Sequence, residues 1–192
     1  RPPPRSTHCI SSAASDVYKR QAPPRPIIAR GKVAPNFHST TVTGEPIALS
    51  EFRGEVVVLM FLPLSSSASC VNCSSQTVSP EVARLTSIWQ AIEPFGEKVR
   101  MIAVSESVPT SEELPVIGED ISYIADPDIV RLYRRSYGAF VIDQQGVIRA
   151  MDEVWSKLVE GRPRGELDQL HASEIVAIAE RLLDREDSGR PG

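Results

Sequence analysis

The sequence predicts an α/β fold with a mixed central sheet, helices on both faces of that sheet and an N-terminal β-hairpin extension. Two largely apolar runs, within 55–63 and 98–105, are typical of strands that are buried on both faces. Between them, apolar residues recur at helical spacing. Strands and helices then alternate along the chain, which favours a mainly parallel sheet, and a late hairpin adds an antiparallel edge.

The bulk composition is ordinary for one globular domain: 192 residues, a formal net charge of −4 and 41% hydrophobic residues. We assign the folded domain to 27–184 and expect disordered tails at 1–26 and 185–192, since the first is rich in Pro and Ser and lacks apolar periodicity. The stretch 11–21 resembles translated sequencing-adapter read-through, so we expect 1–21 not to belong to the natural protein. The compartment is therefore undetermined, with the cytoplasm weakly favoured.

The domain opens with short β elements. Residues 40–42 and 46–49 are predicted to form the arms of a hairpin that turns at Gly44. Ser50 is a candidate N-cap for a short turn of helix, and Gly54 would end it. The central strand over 55–63 follows directly, so the hairpin precedes the core of the sheet.

A helix is predicted after the central strand and a Ser-rich loop. Pro80 either starts this helix or kinks one that began near Cys70, and Gly96 marks its end. Its apolar face consists of Val82, Leu85, Ile88, Trp89 and Ile92. The second buried strand, 98–105, comes next. We therefore expect a strand–helix–strand unit with the two strands parallel.

Asp126 and Pro127 are a good N-cap and first residue for a second helix, predicted to run through Arg135. A short strand at 121–124 precedes it, and the polar stretch 106–120 before that strand could hold a short helix.

The last elements are a hairpin and a helix. Residues 140–143 and 147–149 are predicted to form the hairpin, with Gly146 in its turn. Ser173 is a candidate cap for the final helix, which we expect to end near Asp184. Its apolar face consists of Ile175, Ile178, Ala179 and Leu182.

Several classes of function are disfavoured by what the sequence lacks. It has no basic stripe, which argues against nucleic acid as a partner. No apolar run reaches the length of a membrane span. No glycine-rich phosphate loop follows a strand, which argues against nucleotide binding. Three cysteines are too few for a disulfide scaffold.

Redox chemistry is the first hypothesis, because Cys70 and Cys73 are separated by two residues and lie at a predicted strand-to-helix junction. A helix N-terminus favours the thiolate, which is the reactive form. The alternatives are two buried cysteines that only pack, or a zinc site. Zinc needs four ligands, and His38 and His171 lack ligand spacing, so we expect no metal and no cofactor.

Segments spread over the chain, in their order and spacing, carry a resemblance to a known family. They are Ala34-Pro35-Asn36-Phe37, Gly44, Ile47-x-Leu49-Ser50-x-Phe52-Arg53-Gly54, the strand at 56–61 and Phe140-Val141-Ile142-Asp143-x-x-Gly146-x-Ile148. Over about residues 32–152 the chain resembles the alkyl hydroperoxide reductase / thiol-specific antioxidant (redoxin, peroxiredoxin-like) family. The resemblance implies a thioredoxin-like fold.

The peroxiredoxin active site, Pro-x-x-x-Thr/Ser-x-x-Cys, is matched in spacing by the run from Pro63 to Cys70. The resemblance implies that Cys70 attacks the peroxide, that Ser67 is its hydroxyl partner and that Pro63 shapes the loop. Cys73 would then resolve the Cys70 sulfenic acid as a disulfide. The resemblance also implies a peroxide or protein disulfide as substrate and a thioredoxin-like protein as reductant. It is compatible with a homodimer.

The sequence departs from the family in three places. Cys73 stands where many peroxiredoxins have Glu, and its spacing is that of thioredoxin-like disulfide reductases. Tyr137 stands where peroxiredoxins have Arg, which leaves Arg134 and Arg135 as candidate replacements or as a solvated helix end. The stretch 136–139 lacks the cis-Pro of the reductases. Peroxidase, disulfide reductase and catalytically weak redox-sensing module are therefore the three functions to distinguish.

Overall fold

The computed structural model describes residues 26–62, 80–108, 121–135, 137–154, 167–168 and 170–188. The strands are β1 (His38–Thr40), β2 (Pro46–Ala48), β3 (Val56–Phe61), β4 (Val99–Ser105), β5 (Ser122–Ala125), β6 (Gly138–Ile142), β7 (Ile148–Met151), β8 (Glu153–Val154) and β9 (Leu167–Asp168). The α-helices are α1 (Pro80–Ile92), α2 (Pro127–Tyr133) and α3 (Ala172–Ser188), and short 3-10 helices cover Leu49–Phe52 and Glu93–Lys98.

The central sheet is mixed, with the strand order β5-β4-β3-β6-β7. Strand β3 pairs in parallel with β4, which pairs in parallel with β5, whereas β6 is antiparallel to both β3 and β7. Phe61, Ser105 and Ala125 end the parallel strands, and Gly138 begins β6 opposite Phe61. All four residues therefore lie at one edge, which we call the carboxyl edge. The predicted α/β fold class is confirmed.

Successive residues of β3 point to opposite faces of the sheet, and each face supports its own core. Val58 and Met60 belong to the core that includes residues of α1 and α3. Leu59 and Phe61 belong to the core that includes residues of α2 and the N-terminal hairpin. Helices thus cover both faces, which explains why β3 is an uninterrupted apolar run.

The N-terminal part of the chain covers both outer strands of this sheet. Along β7, the Gly31 N–H donates to the Ile148 carbonyl at 2.8 Å, and the Ala34 N–H donates to the Gly146 carbonyl at 2.9 Å. At the other side, just after β1, the Val42 N–H donates to the Tyr123 carbonyl of β5 at 2.9 Å. An N-terminal hairpin is confirmed as β1 and β2, although its first arm lies over 38–40 and not over the predicted 40–42. This region satisfies backbone groups that exposed edge strands would leave open.

Two segments of the family resemblance meet in space. The Arg53 guanidinium covers Gly146, so that a Cβ at position 146 would lie 1.9 Å from its Nη1 atom. Gly146 also has a φ of +79°, which favours glycine. The Gly54 N–H donates to the Gln144 carbonyl at 3.0 Å. Asp143 accepts the backbone N–H of Val147 at 2.7 Å, which closes the β6–β7 turn. The role of these residues is therefore to stabilise the fold.

The first short helix begins earlier than predicted. It starts at Leu49, with Ala48 as the N-cap, so Ser50 is not the cap. The Ala48 N–H donates to Glu51 Oε2 at 3.0 Å. A glutamate in the first turn therefore satisfies the backbone donor at the entry to this helix.

Both later helices also differ from prediction at their ends. Helix α2 stops at Tyr133, short of Arg135, because Arg134 adopts the left-handed conformation with a φ of 53°. Helix α3 starts at Ala172, before Ser173, and the His171 N–H donates to Glu174 Oε2 at 2.8 Å. It continues to Ser188, past the end expected at Asp184. The β8–β9 pair was not predicted, and the helix considered for 106–120 falls mostly outside the described residues.

Four aromatic rings pack on the α2 side of the sheet. The Tyr133 ring centroid lies 5.3 Å from that of Phe61 and 5.5 Å from that of Phe140. Phe37 packs edge-on against Tyr133 at 6.4 Å. The buried Tyr133 hydroxyl donates to the Pro35 carbonyl at 2.7 Å. Burial raises the pKa of Tyr133 well above its usual value, although the Arg53 charge opposes this rise.

We expect Phe61→Ala to lower the free energy of unfolding by about 3–5 kcal/mol, because it removes a fully buried ring from this cluster. Val33→Ala is the control, since Val33 is largely exposed and its truncation should change stability by at most about 0.5 kcal/mol. Urea denaturation measures both. A Phe61→Ala variant as stable as the control would contradict the packing described.

Tyr133 also predicts a dependence of stability on high pH. Because its pKa is raised in the folded protein, the unfolded chain loses the phenol proton first, from about pH 10. Tyr133 therefore adds no pH dependence below about pH 10 and lowers the free energy of unfolding by up to about 1.4 kcal/mol per pH unit above it. Tyr133→Phe should decline less steeply between pH 9.5 and 11 than the parent. Equal slopes in urea denaturation would refute this assignment.

Candidate functional site

Four of the predicted site residues, Pro63, Ser67, Cys70 and Cys73, fall within 63–79, outside the described residues. The elements on either side of that stretch are described. Strand β3 ends at the carboxyl edge, where the Leu62 N–H donates to the Val104 carbonyl at 2.8 Å. Helix α1 begins at Pro80, directly after that stretch. The described part of the candidate site consists of the side chains that lie at this edge.

The most buried charge at the carboxyl edge is Asp152, directly after β7. Arg84 of α1 approaches it with both terminal nitrogens, Nη2 at 3.0 Å from Oδ1 and Nη1 at 2.9 Å from Oδ2. The Nη1 contact is an ion pair that lacks the alignment of a hydrogen bond. The two side chains are 13% and 2% exposed, so the pair is shielded from water. In such surroundings each charge is stabilised by its partner, and removing either side chain leaves the other charge buried and uncompensated.

Further hydrogen bonds make this pair a junction between four parts of the chain. The Asp152 carboxylate accepts the backbone N–H of Ala139 at 3.0 Å and that of Leu170 at 2.7 Å. Arg84 Nη2 also donates to the Leu170 carbonyl at 2.9 Å. Helix α1, the start of β6, the end of β7 and the chain before α3 are therefore held together by one buried carboxylate and one guanidinium.

Tyr137 and Gly138 complete the junction. The Tyr137 side chain is half-buried, and the Arg84 Cζ atom lies 5.8 Å from its ring centroid, within range of a cation–π contact. Gly138 has a φ of +127°, and a Cβ there would lie 3.4 Å from Asp152 Oδ2. Tyr137, which stands where peroxiredoxins have arginine, is thus contacted by an arginine from α1.

Arg134 and Arg135, the two candidate arginines, occupy different surroundings. Arg135 is half-buried, and its Nη2 atom donates to the backbone carbonyl of Asp152 at 3.3 Å. Arg134 is exposed, and its backbone N–H donates to the Arg131 carbonyl at 3.2 Å, which closes the end of α2. The structure therefore joins Arg135 to the junction at the carboxyl edge but leaves the Arg134 side chain outside it.

Sequence reasoning missed both members of the buried pair. Arg84 interrupts the run of predicted core positions in α1 between Val82 and Leu85, and Asp152 follows the last apolar strand. A charged residue beside an apolar face was the available signal, but it is weak because charged residues flank most amphipathic helices.

No group of three or more His, Cys, Asp or Glu side chains in the described ranges is arranged to hold a metal ion. None of the helices within these ranges is long and apolar enough to cross a membrane.

A double-mutant cycle tests the buried pair. We expect Asp152→Asn and Arg84→Met each to lower the free energy of unfolding by about 3–5 kcal/mol, because each leaves a buried partner uncompensated. The double variant should lose less unfolding free energy than the sum of the two single losses, and the difference should be at least about 1 kcal/mol. Arg131→Met is the matched control, since the Arg131–Asp128 pair is 75% and 83% exposed and should contribute at most about 1 kcal/mol. Additive losses in urea denaturation would contradict the coupling.

No protein-family model and no curated protein matches the sequence. Solved structures do match in fold. Thioredoxin peroxidase I of Plasmodium yoelii aligns with a TM-score of 0.56 and 21% identity, covering 85% of this chain and 96% of that one. A yeast mitochondrial 1-Cys peroxiredoxin aligns with a TM-score of 0.56 and 16% identity, covering 85% and 80%. The thioredoxin domain of a thiol-disulfide oxidoreductase from Bacteroides vulgatus aligns with a TM-score of 0.52 and 17% identity, covering 81% and 98%.

These neighbours include both peroxiredoxins and thiol-disulfide oxidoreductases, the two groups between which the cysteine motif stands. At such identities the likeness establishes the fold and leaves the reaction open. The chain has a thioredoxin-like fold with an N-terminal β-hairpin extension, as the family resemblance implied.

Proposed function

We propose that this protein is a thiol-dependent oxidoreductase that reduces peroxides, with Cys70 as the attacking thiol and Cys73 as the resolving thiol. One observation carries the proposal. The run from Pro63 to Cys73 stands in the chain between β3 and α1, directly after the central strand of a thioredoxin-like sheet. Ligands of open α/β sheets bind outside the carboxyl ends of the strands, and that is the edge at which β3 ends.

The proposed reaction has three steps. The Cys70 thiolate attacks a peroxide oxygen, an S–O bond forms, the O–O bond breaks, and the leaving oxygen takes up a proton as water or an alcohol. The Cys73 thiol then attacks the Cys70 sulfenic acid, which forms the disulfide and releases water. An external dithiol of the thioredoxin type supplies two electrons, returns both cysteines to thiols and is itself oxidised to a disulfide.

The proposal assigns supporting roles to three further residues. Pro63 would shape the chain before Cys70, and the Ser67 hydroxyl would hydrogen-bond to the reacting atoms. Arg135 is a better candidate for a supporting cation than Arg134, because it reaches Asp152 at the carboxyl edge. A nearby cation lowers the pKa of a cysteine and so raises the fraction of reactive thiolate.

Disulfide reduction is the second candidate, and the Cys70-x-x-Cys73 spacing favours it. The same thiolate would attack a substrate disulfide through a mixed intermediate. A redox-sensing module, in which the disulfide changes a surface without sustained turnover, is the third. The match at Pro63 and Ser67 is the reason to place peroxide first.

Peroxide consumption driven by dithiothreitol tests the proposal. We expect Cys70→Ser to lose activity by at least roughly a hundredfold, since it removes the nucleophile. Cys73→Ser should keep activity as long as dithiothreitol is present to resolve the sulfenic acid. Cys9→Ser is the matched control, because Cys9 lies in the stretch expected not to be native, and it should behave as the parent.

An active Cys70→Ser protein would end the proposal. A parent protein that reduces insulin disulfides but consumes no peroxide would identify a disulfide reductase instead. A single stoichiometric oxidation without turnover would identify a redox-sensing module.

A further inference from the structure

A groove of about 570 Å³ lies between the N-terminal segment and the end of helix α2, a size within the range of small-molecule sites. It borders the candidate site, because Arg135 lines the groove and also contacts Asp152. Its lining combines aliphatic residues with an aromatic residue and two charged ones. The aliphatic residues are Pro26, Ile27, Ile28 and Met151, the aromatic residue is Tyr133, and the charged ones are Arg134 and Arg135.

The two charges in the groove are both positive, and neither forms an ion pair with an acidic side chain among the described residues. The ion pairs among the described residues use other arginines, namely Arg84, Arg100, Arg131 and Arg149. The carboxylate nearest to Arg135, that of Asp152, is already paired with Arg84, and Arg135 contacts only its backbone carbonyl. Although the chain as a whole is negative, two adjacent cations without an acidic partner among the described residues make this groove locally complementary to an anion.

The backbone of Arg134 is a second and independent observation. Within the described residues it is the only non-glycine with a positive φ, at 53°. Glycine is the usual residue at a left-handed helix end, because it has no Cβ to strain. The chain carries arginine there although the backbone favours glycine, and strained residues of this kind cluster at functional sites.

The other wall of the groove is aliphatic. Ile27 is 70% exposed, among the largest exposures of any described large hydrophobic residue. Ile28 and Met151 are half-buried and pack against the core. An exposed aliphatic surface beside a pair of cations suits a ligand that is apolar along its length and anionic at one end.

We propose that this groove binds the anion of a straight-chain aliphatic carboxylic acid. The alkyl chain lies along Ile27, Ile28 and Met151, and the carboxylate lies between the guanidinium groups of Arg134 and Arg135. The proposal goes beyond the thiol chemistry and does not depend on it, since none of these residues is a cysteine.

Calorimetric titration of the full chain with dodecanoate tests this site, in the parent and in Cys70→Ser. Both should bind alike, so a failure of the proposed peroxidase chemistry leaves this result unaffected. Affinity should rise by about twofold per added methylene from octanoate to dodecanoate, as expected for a half-buried alkyl chain. It should fall as salt is added, because the cations are exposed.

Arg134→Gly separates a binding role from a structural one. We expect this variant to be at least as stable as the parent, because glycine relieves the left-handed backbone, and to bind dodecanoate about tenfold more weakly. Ile27→Ser, at an exposed position, should weaken binding by about threefold or more. Arg131→Gln is the matched control, since it removes an exposed arginine of the same helix outside the groove and should bind as the parent does.

Acetate has the carboxylate without the alkyl chain, and dodecyltrimethylammonium has the alkyl chain with a positive head group. Each should bind much more weakly than dodecanoate. Acetate binding as tightly as dodecanoate would overturn the aliphatic half of the proposal. Equal binding of dodecyltrimethylammonium, or an unchanged affinity in Arg134→Gly, would overturn the anionic half. If dodecanoate does not bind but an extended acidic peptide does, the proposal is also wrong, and the groove binds peptides.

Discussion

The burial of strand β3 on both faces is the constraint on which the rest of the structure depends. A strand without a solvent-facing side needs a helical layer on each side of the sheet, and α1 with α3 on one face and α2 on the other supply those layers. Its backbone also needs a neighbour on each edge, which β4 and β6 provide. The carboxyl end of β3 lies at the carboxyl edge of the sheet, between the parallel strand β4 and the antiparallel strand β6. The cysteine-bearing stretch follows it in the chain.

That edge is held by a buried polar junction between Arg84 and Asp152. The Asp152 carboxylate satisfies two backbone donors and a guanidinium, so a charge that would be unfavourable when buried alone is compensated on every side. Arg84 brings in α1 and contacts Tyr137, which precedes β6. The helix after the cysteine stretch and the residues beside the end of β3 are thus fastened to each other. The proposed thiol chemistry needs reacting groups held in place, and this junction holds together described elements on either side of the cysteine-bearing stretch in the chain.

The segments that resemble the redoxin family divide into two kinds. The Phe52-Arg53-Gly54 segment and the turn after Asp143 pack on each other, and Arg53 leaves no room for a side chain at position 146. They belong to the architecture and say nothing about the reaction. The run from Pro63 to Cys73 is the segment to which we assign the proposed thiol chemistry. Solved structures with the same fold include peroxiredoxins and disulfide oxidoreductases, so the architecture alone does not choose between them.

Apolar periodicity and turn residues are local properties of the chain, and they were sufficient to predict the central mixed sheet and its three helices, although not the β8–β9 pair. Helix ends were displaced by one or a few residues, since caps come from groups such as Glu51 and Glu174 that periodicity does not reveal. The motif around Cys70 and Cys73 could also be read locally. Only the tertiary structure paired Arg84 with Asp152 and brought Arg134 and Arg135 beside Ile27. Partners that far apart in sequence are chosen by how the layers pack, and no local pattern encodes that choice.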